Sequence, residues 1–168
     1  MNIITKFTVV TQQGMGALLM LTRELAKEKF AALLKPKVLD NYISGKFNEQ
    51  TLTAEVNNIS NQWLIVYVND EPAGYARLTS KGQRPQRLEG KRAVRIADFG
   101  VLSKYPDDAV KDSLLEKCLA VSKQYESIWI TEYAENPLIP LFETKGFVKE
   151  TDAGQLEELP LAAVCLIA

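Results

Sequence analysis

Two neighbouring carboxylates, Asp107 and Asp108, lie where an apolar segment gives way to an amphipathic one. Residues 95–119 read as a strand that turns directly into a helix. A helix that begins at such a turn directs unpaired backbone N–H groups and its positive dipole end toward one point, which favours anions such as nucleotide phosphates. This turn, however, has no glycine and carries two negative charges. The spacing therefore predicts the geometry of a phosphate site without its usual chemistry.

Histidine is absent from the sequence. Its absence excludes a Ser-His-Asp triad, a Cys-His dyad, a zinc site with histidine ligands and a histidine general base. Proton transfer would have to use Asp, Glu, Tyr, Lys, Cys, water or the substrate itself. The cysteines, Cys118 and Cys165, fall in the apolar patterns of a helix and a terminal strand, which favours buried reduced thiols over a disulfide.

The composition is that of a globular protein. The chain has 168 residues, 46% of them hydrophobic, and a formal net charge of −1, which predicts one domain over residues 1–168. Near-neutral charge gives no reason to expect a nucleic-acid partner. No apolar run approaches the length of a membrane span and the first residues lack a signal-peptide pattern, so we expect no membrane partner and a cytoplasmic location.

Hydrophobic periodicity predicts a strand at residues 7–10 and a largely helical segment after it. The helices expected there are residues 15–34, residues 38–43 ending at Ser44 and Gly45, and a segment that begins after Asn48. Strands are expected at residues 63–68, 73–78, 127–132, 147–150 and 160–167. Gly74 inside the second of these strands suggests a bulge or the close approach of another backbone. With the strand of residues 95–102, this order indicates an α/β sheet with helices on both faces.

Three segments resemble the GCN5-related N-acetyltransferase (GNAT) family. They are the hairpin of residues 68–75, the strand end at residues 101–105 before a helix with Leu114 and Leu115, and the segment from Trp129 to Phe147. The resemblance covers essentially the whole chain, and the helical first part is similar to the bacterial polyamine acetyltransferase-like subgroup. It implies a central mixed, mostly antiparallel sheet that splays between strands 4 and 5, with helices on both faces.

Acetyl-coenzyme A is the co-substrate that the resemblance implies, bound in the gap between strands 4 and 5. The implied contacts are Phe99, Gly100, Val101, Leu102, Asp107, Asp108, Ala109, Val110, Lys111, Asn136, Phe142 and Lys145. The backbone of the first four residues would pair with the pantetheine arm as an added strand. In the family the pyrophosphate loop reads Gln/Arg-x-x-Gly-x-Gly/Ala, whereas residues 106–111 lack both the basic residue and the glycines. The acidic pair would stabilise the helix start and compete with pyrophosphate.

The family's tyrosine acid, carried over to this chain, falls on Phe142, which cannot donate a proton. A one-residue shift in alignment would instead make Glu143 a remote candidate. Tyr133 is the nearby phenol that could substitute, with packing of its ring as the alternative role. Glu132 and Asp98 are the candidate bases because they flank the expected gap. For each carboxylate the alternative is a surface or ion-paired role.

The resemblance implies acetyl transfer from acetyl-coenzyme A to a primary amine, by direct attack and without metal. A polyamine acceptor is suggested by the subgroup, and a homodimer is compatible with the family. The alternative is a catalytically weakened acyl-coenzyme A-binding or regulatory module, and a purely structural protein would have no open gap. The basic segment of residues 81–95 is either a solvated connection or a strap that supplies positive charge to the cofactor's phosphates.

Overall fold

The computed structural model describes residues 1–150, 154–156 and 159–168. The strands are β1 (Ile3–Phe7), β2 (Asn61–Val68), β3 (Glu71–Thr79), β4 (Ala93–Val101), β5 (Ser127–Tyr133), β6 (Val148–Lys149), β7 (Gly154–Gln155) and β8 (Ala162–Ile167). The helices are α1 (Gln12–Phe30), α2 (Pro36–Lys46), α3 (Glu49–Asn57), α4 (Asp108–Val121) and α5 (Ile139–Thr144). No helix within these ranges is both long and apolar enough to cross a membrane.

The strands form one mixed sheet in the order β1-β2-β3-β4-β5-β8-β6, with β7 also paired to β8. Among the described strands, β4 and β5 are the parallel pair, and the other pairings are antiparallel. The helix α4 makes the connection between β4 and β5, as a parallel pair requires. This confirms the mixed, mostly antiparallel sheet.

The sheet opens between β4 and β5. Their parallel pairing runs from Ala93 opposite Ser127 to Ile96 opposite Ile130 and then stops, although both strands continue. The opening coincides with a bulge in β4, because consecutive residues of β3 face Asp98 and Ile96 and leave Ala97 as an extra residue. A bulge bends its strand, so β4 turns away from β5 where their hydrogen bonds end. The predicted splay between the fourth and fifth strands is confirmed.

Helices cover both faces of the sheet. The first three helices pack one apolar cluster against one face, and α4 and α5 pack another against the opposite face. Each helix contributes an apolar stripe, such as Leu18, Leu21 and Leu25 on α1. The cysteines are separate thiols; Cys118 is buried in the second cluster, and burial raises its pKa to about 12, whereas Cys165 is half-buried.

Gly74 meets both expectations that its position in a strand raised. The β2–β3 register shifts next to it and leaves Ala73 as an extra residue, which is a bulge. In addition, a Cβ atom on Gly74 would lie 2.4 Å from the carbonyl oxygen of Gly100 on β4. Only glycine allows the two backbones to approach this closely.

The first strand differs from its prediction. It spans Ile3–Phe7 and pairs with β2, whereas residues 8–10 lead into a turn in which the Thr11 N–H donates to the Val9 carbonyl. Thr11 then caps α1, its side chain accepting from the Gly14 N–H. The β-branched run at residues 8–10 was therefore misleading, because β2 selects the earlier residues as its partner. The second helix is also longer than predicted, since Gly45 lies inside α2.

Candidate active site

The opening between β4 and β5 forms a cleft with a cavity of about 320 Å³. Its walls are the last residues of β4 and the segment that follows β5, and α1 closes one side. The residues of α1 in that wall are Leu25, Glu28 and Lys29. The alternative of a purely structural protein predicted no open gap at this place, whereas the structure has one.

Backbone groups of β4 face this cleft in alternation. The N–H of Leu102 donates to the Ala73 carbonyl on the neighbouring strand, so the groups of Gly100 also turn toward β3 and those of Phe99 and Val101 turn toward the cleft. Side chains already engage Phe99: its N–H donates to Asp98 Oδ1 at 3.0 Å and its carbonyl accepts from Lys29 Nζ at 2.7 Å. Val101 is thus the β4 residue best placed to pair with an extended ligand.

The start of α4 borders the cleft. Asp107 is the N-cap residue, and its Oδ1 accepts from the Ala109 N–H at 2.9 Å. The side chain of Asp108 is 91% exposed and lies 3.9 Å from Lys111, which is part of the cleft wall. The predicted role of Asp107 at the helix start is confirmed. Val110, by contrast, is fully buried in the core beneath α4, so its side chain is not a cofactor contact.

Two further expected cofactor contacts lie elsewhere. Phe142 is fully buried between Phe99 and Phe147, with ring centroids 5.3 and 5.8 Å away, because it occupies the inward stripe of α5. Lys145 follows α5 and its Nζ lies 3.8 Å from a Glu116 carboxylate oxygen on α4. Neither is among the residues that line the cleft, so their placement gives no support to a cofactor contact. Glu143, the remote acid candidate, is on the exposed side of α5.

Asn136 does line the cleft. Its Nδ2 donates to Glu132 Oε2 at 2.7 Å, and its Oδ1 accepts from the Leu138 N–H at 2.9 Å. The amide thus links the segment after β5 to a buried carboxylate at the end of that strand. We read it as a positioning group for Glu132 as well as a cleft residue.

A second, smaller cavity of about 50 Å³ lies on the α1–α2 side of β4. Its walls contain a charged cluster made of Lys29, Tyr75, Asp98 and Glu132. Lys29 belongs to the walls of both cavities. A wider groove between α2, α3 and β3 shares Tyr42, Lys46 and Arg77 with the small cavity, so it forms an approach to the cluster from solvent.

Asp98 is held by two donors. Its Oδ1 accepts from Lys29 Nζ at 3.1 Å, and its Oδ2 accepts from the Tyr75 hydroxyl. Burial alone would raise its pKa, but the Lys29 ammonium and the Tyr75 hydrogen bond lower the pKa overall. The ion-paired alternative is therefore realised for Asp98, which is a poor proton acceptor.

Glu132 has the opposite environment. It is 5% exposed, and it accepts a hydrogen bond from the neutral amide of Asn136. Burial raises its pKa, and the nearby Asp98 charge adds to this while Lys29 partly opposes it. A carboxyl group with a raised pKa is a stronger base once ionised, so Glu132 is the better candidate of the pair.

Tyr133 packs against a neighbouring ring and also lines the cleft. Its ring packs edge-on against Phe30 with centroids 5.4 Å apart, and the residue also lines the cleft. Burial raises the pKa of its hydroxyl above the ordinary tyrosine value. The phenol therefore stays protonated at neutral pH and is able to donate.

The sequence interpretation missed Lys29 and Tyr75. A signal for Lys29 is present, since it follows Leu18, Thr22 and Leu25 at the spacing of the buried stripe of α1. A lysine at such a position must find a buried partner. Nothing comparable marks Tyr75, which reads as an ordinary strand residue.

The basic segment is not a strap over the cleft. It connects β3 to the beginning of β4, whereas the cleft lies beyond the other end of β4, about 25–30 Å away for a strand of this length. Arg87 in this segment pairs with Glu150 at 2.8 Å. Of the two alternatives for this segment, its position favours the solvated connection over a strap that supplies charge to the cofactor's phosphates. No group of side chains suited to a metal ion occurs among residues 1–150, 154–156 and 159–168.

Comparison with known proteins supports the fold. No family model matches the sequence. The PaiA N-acetyltransferase of Thermoplasma acidophilum, solved with coenzyme A, is 14% identical with a TM-score of 0.77, covering 98% of both chains. A probable acetyltransferase of Staphylococcus epidermidis is 13% identical with a TM-score of 0.71, covering 99% of this chain and 98% of that one. A GNAT-family acetyltransferase of Streptococcus pneumoniae is 15% identical with a TM-score of 0.67, covering 99% of each. The chain therefore has the fold seen in these acetyltransferases.

Proposed function

We propose that this protein transfers the acetyl group of acetyl-coenzyme A to a primary amine. One observation carries the proposal: the small cavity and the cleft share Lys29 in their walls, so two substrates bound in them would lie next to each other, as a direct transfer requires. The cleft would hold the cofactor, and the small cavity would receive the amine through the groove between α2 and α3. The PaiA N-acetyltransferase of Thermoplasma acidophilum, which has a similar fold, was solved with coenzyme A, and this supports a coenzyme A ligand.

The cofactor would bind mainly through the β4 backbone. The N–H and carbonyl of Val101 are directed at the cleft, where they can pair with the amides of the pantetheine arm. Lys111 lies at the same wall and offers a positive charge near the start of α4. The polyamine acceptor that the sequence resemblance suggests stays a prediction.

In the proposed reaction, Glu132 accepts a proton from the incoming ammonium group, directly or through water. The amine nitrogen then attacks the thioester carbon, a C–N bond forms, and the carbonyl electron pair moves to oxygen. When the carbonyl re-forms, the C–S bond breaks and its electron pair leaves with sulfur. A second proton leaves the nitrogen to solvent, and the thiolate takes one from Tyr133, which is reprotonated from solvent. No covalent bond to the enzyme forms.

A second candidate function is an acyl-coenzyme A-binding module with weakened catalysis. Two observations favour it: Phe142 is buried where the family's acid is expected, and Asp107 occupies a backbone N–H at the start of α4. Thiolate is an acceptable leaving group, so loss of one general acid would slow the reaction by about 10²–10⁴-fold without abolishing it.

Calorimetric titration with acetyl-coenzyme A, followed by an assay of thiol release with a panel of amines, separates these functions. Binding with turnover supports the transferase, and binding without turnover supports the module. Absence of binding at millimolar ligand would contradict both. The Val101→Pro variant removes the N–H that faces the cleft and is expected to weaken binding at least about tenfold, the worth of one hydrogen bond. Val101→Ala keeps that N–H and is the matched control.

A further inference from the structure

Lys29 is a partly buried lysine whose side chain lines both cavities. Its side chain is 13% exposed, and it reaches β4 from α1 to donate to the Phe99 carbonyl at 2.7 Å and to Asp98 Oδ1 at 3.1 Å. The close contact depends on Gly100, because a Cβ atom there would lie 3.3 Å from Lys29 Cε. The fold thus brings a positive charge to the point where β4 parts from β5.

The ammonium group has a donor to spare. A lysine side chain carries three N–H donors, and the described residues accept two of them. Because Lys29 lines both cavities, a ligand atom between them would lie next to the Lys29 side chain, whichever cavity the ligand occupied. That position is where an acetyl group must sit if it passes from a cofactor in one cavity to an amine in the other.

The backbone does not supply this donor itself. The N–H of Phe99, which faces the cleft, already donates to the Asp98 carboxylate at 3.0 Å. The next N–H on that side of β4 belongs to Val101, one strand repeat further along. Among the described residues, Lys29 is the cationic side chain in the walls of both cavities, and a thioester oxygen placed between them would meet it.

We propose that the Lys29 ammonium binds the thioester carbonyl oxygen and stabilises the negative charge that this oxygen gains when the amine attacks. The inference rests on the proposed acetyl transfer and names a catalytic residue for it. In this step the C–N bond forms, the π electron pair of the carbonyl moves to oxygen, and Lys29 keeps its proton. The pair returns when the C–S bond breaks and sulfur leaves as thiolate.

The surroundings of Lys29 fit a fixed charge. Burial by itself would lower its pKa, but the Asp98 and Glu132 carboxylates raise the pKa above the ordinary lysine value. The group therefore remains cationic over the working range of pH and does not act as an acid. A charge held by Asp98 and the Phe99 carbonyl needs no reorientation during the reaction, which is the property that makes such donors effective.

The first test needs no acceptor. Acetyl-coenzyme A labelled with ¹³C at the carbonyl is bound to the protein, and the carbonyl resonance is compared with that of the free cofactor. Contact with an ammonium group polarises the carbonyl, so the bound signal is expected downfield, and Lys29→Met is expected to return it toward the free position. Lys27→Met, a solvent-facing lysine of the same helix, is the control and should leave the signal unchanged.

The outcomes of this test distinguish the two proposals. If acetyl-coenzyme A does not bind the wild-type protein, the proposed function fails and the inference fails with it. If it binds and the resonance is the same in the wild type and in Lys29→Met, the inference alone is overturned. Should Lys29→Met not fold because Asp98 is left buried without its cation, the double variant Lys29→Met/Asp98→Asn, which removes both charges, carries the measurement.

The second test uses turnover. Loss of one oxyanion donor lowers kcat by about 10²–10³-fold, and we expect this for Lys29→Met with the affinity for acetyl-coenzyme A changed little. If Lys29 served only to neutralise Asp98, the double variant would restore kcat, because it removes both charges. If the Lys29 charge acts in the reaction, kcat would stay low in the double variant. Recovery of kcat in Lys29→Met/Asp98→Asn would therefore overturn the inference. Lys29→Arg keeps the charge and is expected to recover part of the rate.

Discussion

Asp98 and Glu132 carry the same functional group in surroundings that push their pKa values apart. Asp98 accepts from an ammonium and a phenol, which lower its pKa. Burial raises the pKa of Glu132 and outweighs the hydrogen bond from the neutral Asn136 amide, which lowers it. Such a separation assigns different roles to two carboxylates of one site. Glu132 is suited to move a proton, and Asp98 is suited to hold Lys29 in place.

The first prediction concerns the pH dependence of Glu132→Gln. A base must be ionised to act, so the wild-type kcat/KM is expected to rise with pH, with a midpoint above the ordinary glutamate value. Glu132→Gln should lower the rate by about 10²–10⁴-fold and abolish this rise. Glu143→Gln, on the exposed side of α5, should change neither. If kcat/KM of Glu132→Gln still rises with pH as in the wild type, the base is a group other than Glu132.

The same substitution also gives a stability prediction. Because the folded-state pKa of Glu132 lies above its unfolded value, protonation favours the folded state at low pH, and this advantage is lost as pH rises through the folded pKa. A glutamine cannot ionise, so Glu132→Gln should raise Tm near neutral pH. The gain should vanish at about pH 4, below the ordinary glutamate pKa. A lower Tm of Glu132→Gln than of the wild type at neutral pH would show that the surroundings of Glu132 stabilise its negative charge.

For single residues, the sequence identified which side chains could act in catalysis but not what surrounds each of them. Absence of histidine directed attention to Asp98, Glu132 and Tyr133, and these residues do lie around the cleft and the charged cluster. The lowered pKa of Asp98 depends on Lys29 and Tyr75, which come from α1 and β3, and the raised pKa values of Glu132 and Tyr133 depend on burial. Partners so distant along the chain cannot be read from local spacing. Likewise, the family pattern gave the positions of Phe142 and Lys145 but not that one is buried and the other faces Glu116.

Among the elements, the beginning of α4 decides how a phosphate would be received. Asp107 both caps the helix and occupies the Ala109 N–H, so one carboxylate satisfies the helix and blocks an anion. A helix start can serve only one of these ligands at a time. The acidic turn that was conspicuous in the sequence would therefore compete with an anion that bound at the start of α4.

Asp107→Gly should therefore raise the affinity for coenzyme A. Removing one charge from the helix start is expected to improve binding by about two- to fivefold, equivalent to 0.3–1 kcal/mol, at a cost to stability of a few tenths of a kcal/mol. Calorimetry measures the change. Asp108→Asn removes a similar charge from an exposed side chain without freeing the N–H and is the matched control. An equal gain in both variants would attribute the effect to net charge.

Two glycines give an element-scale test of the close approach between β3 and β4. Gly74→Ala would place a Cβ atom 2.4 Å from the Gly100 carbonyl, and we expect it to destabilise the protein by about 1–3 kcal/mol. Gly16→Ala lies in α1 with nothing within 4 Å and should stabilise by about 0.5–1 kcal/mol. Chemical denaturation compares the two. A neutral Gly74→Ala would show that the strands can separate without cost.

Elements with a clear period were predicted well. The hairpin and the helices carry strong patterns, and the structure confirms them with shifts at their ends. β1 was misplaced because strand pairing, and not local composition, selects Ile3–Phe7. The splay came from the resemblance alone, since its cause is a bulge at Ala97 that no periodicity marks.

On the scale of the molecule, the sheet separates two apolar clusters. The small cavity lies beside the middle of β4 and the cleft lies at the end of that strand, both against α1. Element order alone was enough for the sheet with helices on both faces. It could not predict that α1 would wall both cavities, because the packing of a helix across a sheet depends on contacts between distant segments.

A bound cofactor should stabilise the whole fold. Acetyl-coenzyme A at one hundred times its Kd contributes about 2.7 kcal/mol, which for a domain of this size raises Tm by about 5–11 °C. Differential scanning fluorimetry measures the shift. ADP lacks the pantetheine arm and should give a much smaller one. Equal shifts with the two ligands would contradict binding along β4.

The alternation of backbone groups at the end of β4 has a consequence for amide hydrogen exchange. Leu102 donates to β3, and Gly100 is expected to do so by register, whereas Val101 faces the cleft. The exchange rates of successive amides should therefore alternate along a single strand, with Val101 fast between two slow neighbours. Occupation of the cleft by an extended ligand would erase this alternation at Val101, so that one backbone proton reports whether the opening is filled.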